Sequence, residues 1–74
     1  MRYTVIIEPG NNSYGAYVPD LPGCVAVGET LEEVRTLIAE AIAFHLEALQ
    51  EQGEAIAPPR TLCDYVEVGE FVER

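Results

Sequence analysis

Pro19-Asp20-Leu21-Pro22-Gly23-Cys24 is the stretch that decides how this chain folds, because regular strand structure cannot continue through it. Its two prolines lack a backbone N–H, and its glycine adopts dihedral angles that other residues avoid. The side chain of Asp20 can accept hydrogen bonds from nearby backbone amides and hold a turn. These residue types predict a stiff corner between two strands, in which Pro19, Pro22 and Gly23 have a structural role.

Strand-like patterns lie on both sides of this corner. Before it, Arg2–Glu8 is rich in β-branched and aromatic residues, and Tyr14–Val18 follows a dense turn signal at residues 9–12. The two runs predict an antiparallel hairpin. After the corner, Cys24–Gly28 predicts a third strand, and the alternating residues Leu62–Val68 predict a fourth.

One long helix separates the third and fourth predicted strands. Thr30 can cap its N-terminus, and Glu33 three residues later completes a capping-box pattern. Gly53 is a natural stop. About 22 residues at 1.5 Å each give a helix of roughly 33 Å. The predicted buried stripe consists of Leu31, Val34, Ile38, Ala41, Ile42, His45 and Leu49.

The element order is therefore β-β-β-α-β, which predicts an α+β fold with one helix on a mainly antiparallel four-stranded sheet. Residues 1–74 form a single predicted domain, since a chain this short supports one small core. One helix covers one face of such a sheet, and Ile6 points to the other face. An apolar open face predicts a homo-oligomer, a dimer or tetramer, although monomers also tolerate scattered aliphatic residues.

The charge of the chain is strongly acidic. Four arginines, no lysine and thirteen acidic residues give a formal net charge of −9. Affinity for nucleic acid depends on cations that neutralise phosphates, so we expect no direct nucleic-acid binding by this chain alone. The same charge would steer a basic protein partner, or would merely keep the protein soluble. Without a membrane-length apolar run or a signal-peptide pattern, we expect a cytoplasmic protein that does not enter a membrane.

Catalytic chemistry has little support in the sequence. His45 lies on the apolar helix stripe, and a thiolate pair with Cys24 would lack a third group to orient it. A magnesium site built from Glu8, Asp20 and Glu40 is conceivable, but thirteen acids in a short chain make close pairs by chance. We therefore expect no enzyme activity, no metal and no cofactor.

Several motifs occur in a fixed order along most of the chain. They are Tyr14-x-Ala16-Tyr17-Val18-Pro19-Asp20-Leu21-Pro22-Gly23-Cys24, Gly28-x-Thr30-Leu31-Glu32-Glu33, Glu40-Ala41-Ile42, His45-Leu46 and Gly53-Glu54-x-Ile56-x-Pro58. Together they resemble the HicB-like antitoxin domain. The order of several separate motifs makes this resemblance far more specific than any one of them.

The resemblance implies a partial ribonuclease-H-like fold and the role of antitoxin in a type II toxin–antitoxin pair. It also implies a partner, a small basic HicA-like toxin of double-stranded-RNA-binding-domain fold that cleaves mRNA with a histidine. The antitoxin would mask that active site. Members of the family commonly carry a C-terminal DNA-binding domain. Because the sequence stops at Arg74, we expect a stand-alone form that needs a separate protein for autorepression.

The partner is expected to contact the corner at Asp20 and Leu21 and the acidic helix positions Glu40 and Glu47. Two other functions stay open. One is an orphan regulatory or scaffold domain of the same fold that has no toxin. The other is a minimal metal-dependent nuclease.

Overall fold

A hairpin begins the chain in a computed structural model that describes residues 1–70. Strand β1 (Ile6–Gly10) pairs antiparallel with β2 (Ser13–Tyr17), from Gly10 opposite Ser13 to Ile6 opposite Tyr17. The two-residue turn between them places Asn12 at a φ of 59°, a left-handed conformation that asparagine tolerates. The predicted hairpin is confirmed.

The first strand nevertheless lies further along the chain than Arg2–Glu8. It starts at Ile6 and includes Pro9 and Gly10, which were predicted to be turn residues. Proline is tolerated here because β1 is an edge strand of the sheet. Residues 2–5 face no strand, since β2 ends at Tyr17 and the chain then turns at Pro19.

The corner, residues 18–24, leads into β3 (Val25–Gly28), which pairs antiparallel with β2. Its backbone closes on itself. The N–H of Leu21 donates to the Val18 carbonyl (3.0 Å), that of Cys24 to the Leu21 carbonyl (3.0 Å), and that of Val18 to the Cys24 carbonyl (3.2 Å). Gly23 has a φ of 86°, so the unusual dihedral expected there is present.

Helix α1 (Leu31–Glu51) has the predicted start and stop. The Glu33 N–H donates to Thr30 Oγ1 (3.0 Å), and the Glu33 carboxylate accepts from the Glu29 N–H (2.6 Å) instead of from Thr30 itself. After the helix, Gly53 has a φ of 72°, and the next N–H returns to the Leu49 carbonyl (3.0 Å). Within residues 1–70, no helix is long and apolar enough to cross a membrane.

The core lies between the first half of α1 and one face of the sheet. Gly28 is the point of closest approach, because a Cβ atom there would lie 2.7 Å from the backbone nitrogen of Val34. Glycine is therefore required for the helix to pack this near to β3. The fully buried apolar residues are Ala16, Val18, Leu21, Cys24, Val34 and Ile38.

The predicted fourth strand is not found. Leu62–Val68 forms neither strand nor helix and pairs with no strand among residues 1–70, so the described sheet has three strands in the order β1-β2-β3. Residues 54–61, the connector between the helix and this segment, accept side-chain hydrogen bonds from the N-terminal residues. Tyr3 donates its hydroxyl to the Ala57 carbonyl (2.6 Å), and Thr4 donates to the Thr61 carbonyl (2.8 Å). The alternation of Leu62–Val68 is compatible with a β-strand, but a strand also needs an adjacent strand with which to form backbone hydrogen bonds.

Candidate protein-binding surface

One exposed face of α1 combines acidic groups with an aromatic side chain. Glu40, Phe44 and Glu47 are spaced by four and three residues, which places them side by side on a helix. All three are exposed, and Phe44 retains 75% of its accessible surface. We call these three residues the acidic helix face. Sequence reasoning selected the two glutamates but missed Phe44, although its spacing between them was the available signal.

The surroundings of this face leave its charge uncompensated. No lysine or arginine occurs between Leu37 and Glu51, and the last turn of the helix carries no basic residue. Glu51 lies at the negative end of the helix dipole and four residues after Glu47, so both arrangements are locally unfavourable by a few tenths of a kcal/mol. A cationic partner would relieve both. Negative charge is therefore concentrated on an exposed side of the helix.

The position of the helix in the fold explains that exposure. Its two fully buried residues, Val34 and Ile38, both belong to its first half. In its second half, Ala41, Ile42 and Leu46 still pack against the core. The acidic helix face lies on the other side of the helix from this packed stripe and is therefore exposed to solvent.

Asp20, by contrast, has internal partners. Its carboxylate accepts from the N–H groups of Arg60 (2.8 Å) and Thr61 (2.9 Å) and from the Thr61 hydroxyl (2.8 Å). These bonds, the Thr61 amide foremost, lower the pKa of Asp20 from its ordinary value. We call this set of bonds the Asp20 anchor. It ties the corner to the connector that follows the helix, a pairing that the sequence did not reveal.

Leu21 is part of the core. It is 2% exposed and packs with the buried residues of the sheet and helix. The binding role predicted for Asp20 and Leu21 stays a prediction, and the structure gives both side chains an internal role first. Of the structural motif residues, Pro19, Pro22 and Gly23 are exposed around the corner, and Thr30 and Glu33 lie at the start of α1.

The groups considered for catalysis are the acidic residues and the Cys24 thiol. Among residues 1–70, no three His, Cys, Asp or Glu side chains lie close enough together to hold a metal ion. Glu8, Asp20 and Glu40, which were considered as magnesium ligands, therefore do not form such a cluster within the described residues. Burial raises the pKa of the Cys24 thiol, which disfavours the thiolate that a nucleophile requires.

Comparison with known proteins identifies the relatives of this chain. Residues 3–74 match the HicB-like antitoxins of bacterial toxin–antitoxin systems. A 14.9 kDa protein from the rep–hol intergenic region of Haemophilus phage HP1 is 37% identical over 96% of this chain and 53% of its own length. This chain thus spans about half of that relative. A UPF0150 protein of Thermotoga maritima is 43% identical over 73% of this chain and 71% of its own.

A solved structure agrees with the same grouping. The crystal structure of the N-terminal domain of the Burkholderia pseudomallei antitoxin HicB superposes with a TM-score of 0.69 and 34% identity. The match covers 77% of this chain and 69% of the other. Both the three-stranded antiparallel sheet with one long helix and the ordered motifs are consistent with that match. The chain belongs to the HicB-like antitoxin family.

Proposed function

We propose that this chain is the antitoxin of a type II toxin–antitoxin pair, acting in the cytoplasm as a binding protein and not as an enzyme. It binds a small basic HicA-like toxin and inhibits mRNA cleavage by covering the toxin's active site. Family membership over residues 3–74 is the observation that carries this proposal. The acidic helix face adds a surface with chemistry that suits such a partner.

The toxin contacts the acidic helix face in this proposal. Its cations pair with Glu40 and Glu47, and Phe44 supplies the apolar contact between them. Exposed aromatic residues that become fully desolvated are frequent hot spots, at about 2 kcal/mol or more each. The net charge of −9 accelerates the encounter with a basic protein and makes it sensitive to salt.

The test pairs two double variants that change charge equally. Glu40→Gln/Glu47→Gln removes both charges of the acidic helix face, whereas Glu29→Gln/Glu54→Gln removes two exposed charges outside it. Binding of the small basic protein encoded beside this chain is measured by calorimetry at several salt concentrations. We expect the first variant to bind at least about tenfold more weakly and with a smaller salt dependence. The control should stay within about threefold of the unmodified chain.

Phe44→Ala is a separate test of the same surface. We expect it to weaken toxin binding by about 30-fold, equivalent to roughly 2 kcal/mol. Because Phe44 is 75% exposed, thermal stability of the free chain should hardly change. Co-expression then shows whether growth is rescued. A neighbouring protein that is harmless alone, or that does not bind, would refute the antitoxin role and favour an orphan regulatory or scaffold domain.

A further inference from the structure

One exposed side of α1 carries three rows of residues, each of which repeats after seven positions. Seven residues are about two turns, or roughly 10.5 Å, of an α-helix, so the members of a row lie one above the other. The three rows are an apolar one, Leu37 and Phe44, an acidic one, Glu40 and Glu47, and a small one, Thr36 and Ala43. All six residues are exposed, and together we call them the repeat face.

The repeat face is uneven in height. Because successive residues of a helix are rotated by about 100°, the acidic row lies between the apolar row and the small row. Phe44, with 75% of its surface accessible, projects on one side, whereas Ala43 on the other side presents only a methyl group. Ala39, which is also exposed, widens the low strip beside Ala43. A low strip next to a projecting ring allows another backbone to approach α1 closely.

Packing within this chain does not account for the repeat face. The side of α1 that packs against the core contains Val34, Ile38, Ala41, Ile42 and Leu46, none of which belongs to the three rows. Single exposed apolar residues are normal on monomers, so Phe44 alone would need no explanation. The repeat of apolar, acidic and small residues at one common spacing is instead typical of a helix that packs along another helix.

The charge of the repeat face determines the kind of helix that fits. No lysine or arginine occurs from Thr36 to Pro59, so Glu40 and Glu47 have no cationic neighbour along this part of the chain. A helix with cationic side chains two turns apart would pair with both carboxylates. A second copy of α1 is equally acidic and would be repelled. The charge pattern therefore favours a basic partner.

We propose that the repeat face accepts a helix of the basic toxin, packed lengthwise along α1. The small side chains of Thr36 and Ala43 let the two helix axes approach to about 8–10 Å, and the seven-residue repeat matches helices that cross at roughly 20°. The apolar row packs against the flank of the incoming helix, while the acidic row pairs with its cations. The inference rests on the proposed antitoxin function and adds which element of the toxin is bound.

Enlarging a side chain on the low strip tests the proposal. Ala43→Leu adds an isopropyl group where the toxin helix would lie, without removing any charge or apolar contact. Leucine is a good helix former and Ala43 is exposed, so circular dichroism and the urea midpoint of the free chain should not change. Calorimetry with the small basic protein encoded beside this chain should show binding at least about tenfold weaker.

Two variants serve as controls for this enlargement. Ala55→Leu makes the same change at an exposed position outside the helix and should bind within about threefold of the unmodified chain. Ala43→Ser keeps the side chain small and should also bind within about threefold. Equal weakening by Ala55→Leu, or loss of binding by Ala43→Ser, would contradict the proposal, because neither change obstructs a helix on the repeat face.

Nuclear Overhauser contacts from alanine methyl groups identify the element of the toxin that binds. With isotope-labelled alanine in this chain and unlabelled toxin, we expect the Ala43 methyl group to contact toxin residues three or four positions apart. That spacing is the signature of one face of a helix. Contacts to toxin residues two positions apart would indicate a strand and would overturn the proposal.

The remaining outcomes separate this proposal from the antitoxin function. If Ala43→Leu leaves binding unchanged while Glu40→Gln/Glu47→Gln weakens it, the toxin meets the acidic row without a packed helix. The proposal then fails, and the antitoxin function stands because toxin binding is observed directly. If the unmodified chain does not bind the basic protein at all, both fail.

Discussion

The corner (residues 18–24) and the C-terminal segment (Leu62–Val68) have seven residues each and similar contents, yet opposite surroundings. Each contains one leucine, one cysteine and one aspartate. In the corner, Leu21 is 2% exposed, whereas Leu62 in the segment is 91% exposed. The corner reverses direction through its own backbone hydrogen bonds and packs beneath the helix. Apolar composition alone therefore does not decide burial, since the chain must also supply a neighbouring surface.

Substitution of Leu21 and of Leu62 is the most direct test of this difference in burial. Leu21→Ala removes a side chain from the core and should lower the free energy of unfolding by about 2–5 kcal/mol. Leu62→Ala should change it by less than about 0.5 kcal/mol in the monomer. Urea denaturation at low protein concentration measures both. Equal losses would mean that the segment is buried within its own chain.

The two cysteines allow a similar test with a smaller expected effect. Cys24 is buried, and a serine there would bury a hydroxyl, so Cys24→Ser should destabilise the monomer by about 1–3 kcal/mol. Cys63 is exposed, and Cys63→Ser should be nearly neutral. Denaturation midpoints of the two variants compare them directly. A stabilising effect of Cys24→Ser would contradict the buried position.

Gly23 and Gly69 allow the backbone conformations of the two regions to be compared. Gly23 has a φ of 86°, and a Cβ atom there would meet nothing within 4 Å, so only backbone strain opposes a substitution. Gly23→Ala should lower stability by about 1 kcal/mol. Gly69, which follows the segment, has equal space and no left-handed φ, so Gly69→Ala should be neutral. The melting temperature should therefore fall for Gly23→Ala and stay unchanged for Gly69→Ala.

The dependence of stability on pH at Asp20 is the smallest of these effects. Hydrogen bonds from Thr61 and Arg60 depress the pKa of Asp20, so its contribution to stability is present above the ordinary carboxyl pKa of about 3.9 and is lost as pH falls below it. Asp20→Asn should therefore destabilise the chain at neutral pH but hardly at low pH.

Asp64→Asn is the control for that comparison, because within residues 1–70 Asp64 accepts a hydrogen bond from its neighbour Tyr65 (2.7 Å) and from no distant residue. Urea midpoints at neutral and acidic pH should show a difference from the unmodified chain for Asp20→Asn alone. A constant difference at all pH values would mean that the Asp20 anchor is not electrostatic.

Local signals allowed most of the fold to be predicted. The capping residues Thr30 and Glu33, the stop at Gly53 and the spacing of Val34 and Ile38 determine the helix within one stretch of chain. The corner follows equally from its prolines and Gly23. Those features depend on neighbours within a few residues, which is why a single sequence shows them.

Features that depend on distant residues were missed. The fourth strand needs a partner edge, and the alternation of Leu62–Val68 does not specify one. The requirement for Gly28 arises from Val34 on another element. At the candidate site, Glu40 and Glu47 could be selected by charge, but the exposure of Phe44 follows from which side of the helix packs against the core.

The Asp20 anchor joins residues that lie 40 and 41 positions apart, which has a kinetic consequence. Closing so long a loop is entropically unfavourable until the hairpin and helix have formed between its ends. We therefore expect the bonds of the anchor to form late in folding and to be among the first to open. Their opening, together with that of the hydrogen bonds from Tyr3 and Thr4, would release the connector while the helix and hairpin stay intact. The C-terminal segment can thus change neighbours on the timescale of local opening, without unfolding of the whole chain.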